Sequence, residues 1–255
     1  MPEGPSIVIM KEDVYQFEGK EVLEISGNSK IDKIPILNQK VIAFKSWGKH
    51  FLICFEDFTV RIHLLLFGSY RVNEKKETPE RLHFQFENGE LNFYACSVKM
   101  IEGNINQVYD FSADVMNEHW NPKAAKKKLK TIPKTLICDA LLKQEIFAGV
   151  GNIIKNEVLY RVRVHPKSEV GAISIMKLNQ IIKEAKNYSF DFLEWKKEFT
   201  LKKNWLAHTK KICLRCNKPI IKEYTGVYKR RSFFCTNCQK LYTFSEKVEK
   251  IENNF

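Results

Sequence analysis

The chain has 255 residues, 44% of them hydrophobic, with 42 Lys plus Arg against 30 Asp plus Glu and a formal net charge of +12. This composition supports folded cores and excludes a disordered polar chain, and no apolar run approaches the ~18 residues that a membrane span needs. The basic excess points to a polyanionic partner, nucleic acid before an anionic membrane, and without a secretory leader the chain is expected to be soluble and intracellular.

The chain opens Met-Pro-Glu-Gly-Pro. Trimming of Met1 would leave Pro2 as a secondary amine. An α-amino group titrates near pH ~8, against ~10.4 for lysine, so part of it is neutral and nucleophilic at physiological pH. Such an amine can attack a sugar carbon and form an iminium, and Glu3 beside it can move the protons. The plain alternative is a frayed terminus with no role.

Residues from about 15 to 101 read as strands. Lys40–Trp47, His50–Glu56 and Thr59–Leu66 are rich in β-branched and aromatic residues. Leu82, Phe84 and Phe86 alternate with His83, Gln85 and Glu87, the period of a half-buried strand. Asn88-Gly89 signals a tight hairpin, with Leu91–Ile101 as the returning strand. Many short strands with turn signals predict a sandwich or barrel-like β domain.

The pattern changes near Asn121-Pro122. Lys123–Lys130 joins helix formers to five lysines, either a solvated face or a phosphate contact. Leu141, Leu142, Ile146 and Phe147 read as one helix face, Gly149-Val150-Gly151 as a break, and Asn152 as the N-cap of a helix ending before His165-Pro166. Such a turn offers backbone N–H groups and the Asn152 amide to a phosphate, or is simply a helical hairpin. Leu178, Ile181, Ile182 and Ala185 recur at spacings of three and four, an amphipathic core stripe.

Cys54, Cys96 and Cys138 are scattered and read as buried free thiols of a reducing compartment. Cys213, Cys216, Cys235 and Cys238 form two CxxC pairs, the spacing of a closed structural zinc site; two redox pairs are the weaker alternative. Between the knuckles, Glu223–Phe234 reads as a hairpin turning near Gly226, with Arg230 and Arg231 among Tyr228, Phe233 and Phe234. Cations interleaved with aromatics on a rigid finger suit a DNA backbone or base stack.

Taken together, Pro2-Glu3, Gly48-Lys49-His50-Phe51, Gly149-Val150-Gly151-Asn152 and the four-cysteine finger resemble, in order and spacing, the formamidopyrimidine-DNA glycosylase and endonuclease VIII family. The opening PEGP is similar to the bacterial endonuclease VIII branch. The resemblance implies an α+β multidomain chain: an N-terminal catalytic β-sandwich (1–117), a helix–two-turn–helix domain (123–204), a zinc-finger hairpin (205–242) and a tail (243–255). It implies a DNA glycosylase and AP lyase of base-excision repair. Pro2 would be the nucleophile that forms the Schiff base, Glu3 the proton shuttle and Lys49 a cation at the lesion. Asn152 and Arg230 would clamp flanking phosphates, with Arg231 the alternative to Arg230. Leu66 is the expected filler of the vacated stack, or else a core residue ending its strand. One structural Zn2+, damaged double-stranded DNA, a monomeric state and a cytoplasmic, nucleoid-associated bacterial location complete the expectation. Ser6 stands where the family commonly has glutamate, and Cys96–Met100 lacks the arginine and phenylalanine wedge pair of the formamidopyrimidine branch. Oxidised pyrimidines are therefore the expected lesions. The alternatives are a formamidopyrimidine or 8-oxoguanine glycosylase and a non-catalytic damaged-DNA binder.

Overall fold

A computed structural model describes residues 2–244, so Met1 and residues 245–255, most of the expected tail, lie outside the described residues. The chain divides into two compact units, one ending at Phe111 and the other beginning at Ser112.

The first unit starts with a helix that the hydrophobic pattern does not announce, α1 (Gly4–Asp13). Pro5 in its first turn presets the helical φ where no N–H is needed. Gly4, Pro5, Ser6, Ile7 and Met10 are all buried, so the helix has no polar stripe to betray its period. Eight strands follow: β1 (Glu24–Ser26), β2 (Ala43–Trp47), β3 (His50–Cys54), β4 (Phe58–His63), β5 (Ser69–Val72), β6 (Leu82–Phe86), β7 (Gly89–Tyr94) and β8 (Ser97–Glu102). They form two antiparallel sheets, in the orders β1-β6-β7-β5 and β2-β3-β4-β8. Phe44, Phe51, Ile62, Phe84, Phe86 and Phe93 share one buried cluster, the β-sandwich core, and α1 packs on β2 and β3. Each such ring taken from water contributes about 1.5–3 kcal/mol.

Three expectations change here. The predicted single strand Leu91–Ile101 is two strands in different sheets, because Ala95 at φ 49° turns a corner between β7 and β8. The β6–β7 hairpin loop is Glu87-Asn88, one residue earlier than expected, since Phe86 already pairs with Gly89. His83 is not on a solvated face: it is buried and its Nδ1 lies 2.7 Å from Asn92 Oδ1.

The second unit holds α2 (Pro122–Lys130), α3 (Ile137–Ala140), α4 (Gln144–Phe147), α5 (Asn152–Arg161), α6 (Ile175–Lys197) and the hairpin β9 (Ile221–Thr225) and β10 (Arg230–Phe234). Asn121 caps α2 by accepting from the Lys123 and Ala124 N–H groups at 3.0 Å, and Ser174 caps α6. The stripe Leu178, Ile181, Ile182 and Ala185 is core, as its period predicts. The predicted continuous face Leu141–Phe147 is instead two short helices, α3 and α4, joined at residues 141–143. No helix among the described residues is long and apolar enough to cross a membrane.

Candidate functional site

In the first unit, the candidate catalytic residues belong to α1 and the hairpin beneath it. Glu3 is the residue before α1 and is fully buried; its carbonyl accepts the Ser6 N–H at 2.8 Å. Pro2 is half-buried. Trp47 pairs with His50, so Gly48 and Lys49 form a two-residue turn between β2 and β3, with Gly48 at φ 56°. Lys49 is half-buried there. Pro2 and Glu3 thus lead into α1, and α1 packs on β2 and β3, the two strands that the Gly48-Lys49 turn joins.

Beside Lys49 lies a group that sequence patterning did not single out. His50 and His63 face each other across β3 and β4, rings 5.2 Å apart, and Tyr109 Oη lies 3.1 Å from His50 Nδ1. Burial, then Arg61, His63 and Lys49, push the His50 imidazole down to about 3. Burial, then Lys49 and Arg61, also lower His63. Both rings are therefore neutral near pH 7.

Leu66 occupies the loop between β4 and β5. It is 49% exposed, so it is not a core residue ending a strand; Leu65 (φ 53°) and Phe67 beside it are 49% and 84% exposed. Three successive unburied apolar side chains form a projecting tip.

In the second unit the phosphate candidates are organised by α5. Asn152 is the first residue of this helix and Gly151 occupies the cap position, so Asn152 does not cap it as expected. Its Oδ1 is buried without a hydrogen-bond partner among the described residues. One turn further on, three polar residues of α5 reach the finger. Lys155, fully buried, donates from Nζ to Ser232 Oγ (2.9 Å) and the Arg231 carbonyl (3.2 Å). Asn156 donates to the Arg231 carbonyl and accepts the Phe233 N–H, both at 3.2 Å. Glu157 accepts the N–H groups of Leu206, Ala207 and His208 at 2.7–2.9 Å. A second clamp closes on the finger tip. The buried Asp139 of α3 accepts the Val227 N–H at 3.0 Å and the Tyr228 N–H at 3.4 Å. A Cβ on Gly226 (φ +69°) would lie 2.2 Å from Asp139 Oδ1, so only glycine fits.

Sequence reading missed Lys155, Asn156, Glu157 and Asp139. The available signal was a polar triplet, Lys-Asn-Glu, inside the apolar run from Ile153 to Tyr160, every residue of which is buried. Arg230 and Arg231 are both exposed on β10 but differ in engagement. Arg231 Nε donates to Tyr224 Oη at 2.8 Å and its guanidinium lies 5.5 Å from that ring. Arg230 makes no such contact among the described residues.

The four cysteine sulfurs lie within 4.8 Å of one another, with Cys213–Cys238 at 3.9 Å and Cys216–Cys235 at 3.5 Å. A tetrahedron of thiolates at ~2.3 Å from zinc has edges of about 3.8 Å, so the donor set fits that ion. Tyr160 Oη meets Cys213 Sγ at 3.2 Å, and Arg215 stacks 4.1 Å over the Tyr160 ring, which ties this knuckle to α5.

A β-sandwich unit and a helical unit with a four-cysteine finger define the fold of the formamidopyrimidine-DNA glycosylases. Complexes of the Lactococcus lactis enzyme with an oxidised-pyrimidine DNA superpose with a TM-score of 0.81 at 20% identity, covering 94% of this chain and all of the other. A viral DNA glycosylase gives 0.80 at 19% identity over 93% of this chain. The family models for the formamidopyrimidine-DNA glycosylase N-terminal domain and H2TH domain match residues 1–96 and 111–198. The chain belongs to the formamidopyrimidine-DNA glycosylase and endonuclease VIII family of DNA-repair glycosylases. Its relatives come from both branches. Endonuclease 8-like 3 of Xenopus laevis is 26% identical over 206 residues, 76% of this chain, and the chain spans 33% of that longer protein. Formamidopyrimidine-DNA glycosylase of Carboxydothermus hydrogenoformans is 23% identical over 94% of this chain and its own full length.

Proposed function

We propose that the chain is a bifunctional DNA glycosylase and AP lyase that removes oxidised pyrimidines from damaged duplex DNA, acting as a monomer through the amine of Pro2. The observation that carries this reading is the buried Glu3 next to Pro2 at the foot of α1, a helix packed on the hairpin whose turn holds Lys49.

With Met1 removed, the neutral amine of Pro2 attacks C1′ of the damaged nucleoside. The bond from C1′ to the base breaks, the base leaves with a proton, and the sugar ring opens to an iminium on the proline nitrogen. Glu3 shuttles the proton that the ring oxygen takes up. Loss of a proton from C2′ then expels the 3′ phosphate, and a second elimination expels the 5′ phosphate. Lys49 supplies positive charge, and the neutral His50 and His63 beside it leave it the cation of that turn. Extruding the nucleotide costs a few kcal/mol and leaves a gap in the stack, which the projecting Leu66 fills. Asn152 and Arg230 hold the phosphates on either side of the lesion, with Arg231 bound to its own hairpin. One zinc ion on Cys213, Cys216, Cys235 and Cys238 keeps the finger folded. The choice of oxidised pyrimidines rests on the PEGP opening and the missing Arg and Phe wedge pair.

Borohydride trapping on an abasic-site duplex tests the reading. The processed protein is expected to form a covalent adduct, Pro2→Gly to lose at least tenfold of it, and an uncleaved N-terminal tag to abolish it. Equal trapping by the tagged protein overturns the amine assignment.

A further inference from the structure

α2 and α6 pack against each other in the second unit, and the groove between them encloses about 360 Å³. Each wall carries a lysine pair at i, i+3 spacing: Lys123 and Lys126 on α2, Lys183 and Lys186 on α6. Residues three apart on a helix share a face, so each pair points the same way along the groove. Among the described residues none of these four ammonium groups pairs with a carboxylate. Four uncompensated like charges repel one another, a standing cost that an anion in the groove removes. The floor is not charged. Trp120, tilted on Phe147 at 6.0 Å, and Ile182 supply an apolar base, and the Asn179 and Asn187 amides supply neutral donors.

The groove does not end there. A neighbouring cavity of about 420 Å³ shares Lys183 and Asn187 with it and adds Arg163 and Lys177. Its one acid, Glu184, is bound to Arg161 at 3.0 Å. The result is a continuous basic track along α6. None of its residues belongs to the finger hairpin or to the turn before α5.

We propose that this track is a second nucleic-acid site, which holds the phosphate backbone of a single strand. Two features select that occupant. Lysines on both walls over an aromatic floor match a chain of phosphates with bases that stack or lie flat. The Asn179 and Asn187 amides in the same lining offer donors and acceptors to base edges, which phosphates alone would not use. An acidic peptide would meet the same charges, and competition with polyglutamate separates the two occupants. The site lies outside the chemistry proposed above and does not depend on it.

The experiment uses the full chain saturated with a short unlabelled duplex containing a tetrahydrofuran abasic analogue, followed by titration with a fluorescein-labelled 20-mer of thymidine. The wild-type protein is expected to bind the labelled strand under these conditions. Lys123→Glu, Lys183→Glu and Lys186→Glu together should weaken that binding at least tenfold and flatten its dependence on log salt by about 2, as three lost phosphate contacts require. Cleavage of a separate duplex with a true abasic site should stay within twofold of wild type, and metal content and thermal melting should be unchanged. Unaltered affinity and salt slope in the triple variant overturn the proposal, as does displacement of the labelled strand by polyglutamate at equal charge concentration. If the short duplex fails to bind at all, the lysine dependence of strand binding is still read directly.

Discussion

Asp139 is the residue on which the finger tip depends. Its carboxylate receives two backbone N–H groups from the loop at 226–229, and each hydrogen bond to a charged group is worth about 1.5–3 kcal/mol. Asp139→Ala removes the buried carboxylate that holds the exposed tip residues Val227 and Tyr228 in place. The variant is expected to lose about 2 kcal/mol in urea denaturation of the helical unit and to bind an abasic duplex several-fold more weakly by fluorescence anisotropy, with Asp139→Asn intermediate. Binding as tight as wild type in Asp139→Ala would show that the tip needs no such support. Neither Asp139 nor the Lys155–Asn156–Glu157 triplet was legible in the sequence, for one physical reason. Their partners lie 49 to 89 residues further along the chain, so a polar side chain that is buried and satisfied looks the same, locally, as one facing water. The turn that carries Lys49 and the four-cysteine group were legible because each is a local pattern: a two-residue gap between strands, a CxxC knuckle.

At the scale of elements, the finger is the part least able to stand alone. Its cluster of buried residues is small, with Ala207, Cys213, Ile220, Phe233 and Cys235 packed around Tyr160 of α5. Binding of the metal is therefore folding energy for this segment. Emission spectroscopy is expected to find one zinc per chain. A strong chelator should abolish DNA binding and open the finger amides to hydrogen exchange, while the β-sandwich amides keep their protection. Equal protection of the finger after complete metal removal would refute this. Strand assignments show where element reading succeeds and stops. β2, β3, β4 and β6 follow from β-branched and aromatic runs, and the β2–β3 turn follows from Gly48. The division of Leu91–Ile101 between two sheets was hidden, since a corner at Ala95 needs only one residue with positive φ and alanine carries no turn signal.

For the molecule as a whole, the buried imidazoles make stability depend on acidity. His50 is held down to about 3 from 6.5 by burial, then by Arg61, His63 and Lys49. Above about pH 6.5 the ring is neutral in both folded and unfolded chains and costs nothing. As pH falls from 6.5 towards 3, the unfolded chain takes up a proton that the native β-sandwich refuses, so native stability drops by about 1.4 kcal/mol per pH unit for each such group. His63, lowered in the same direction, adds to the slope. Urea titrations followed through the β-sandwich transition should show stability declining between pH 6.5 and 4.5, and a shallower decline in His50→Gln. An identical slope in that variant would remove His50 as the cause. The net charge of +12 announced a polyanionic partner from composition alone, but not where the charge is concentrated. The assembly of four lysines from α2 and α6 into one track requires the packing of two helices, one ending at Lys130 and the other beginning at Ile175, a relation no local window contains.

Because α5 begins with Asn152 and grips β10 one turn later, a single rod sets the separation between two points of anchorage. The connector from Phe199 to Lys211 is tied to the same rod, since Glu157 accepts the N–H groups of Leu206, Ala207 and His208. One helix thus gauges both the hairpin and the chain that leads into it, and a residue inserted in α5 between Asn152 and Lys155 would put that gauge out of step.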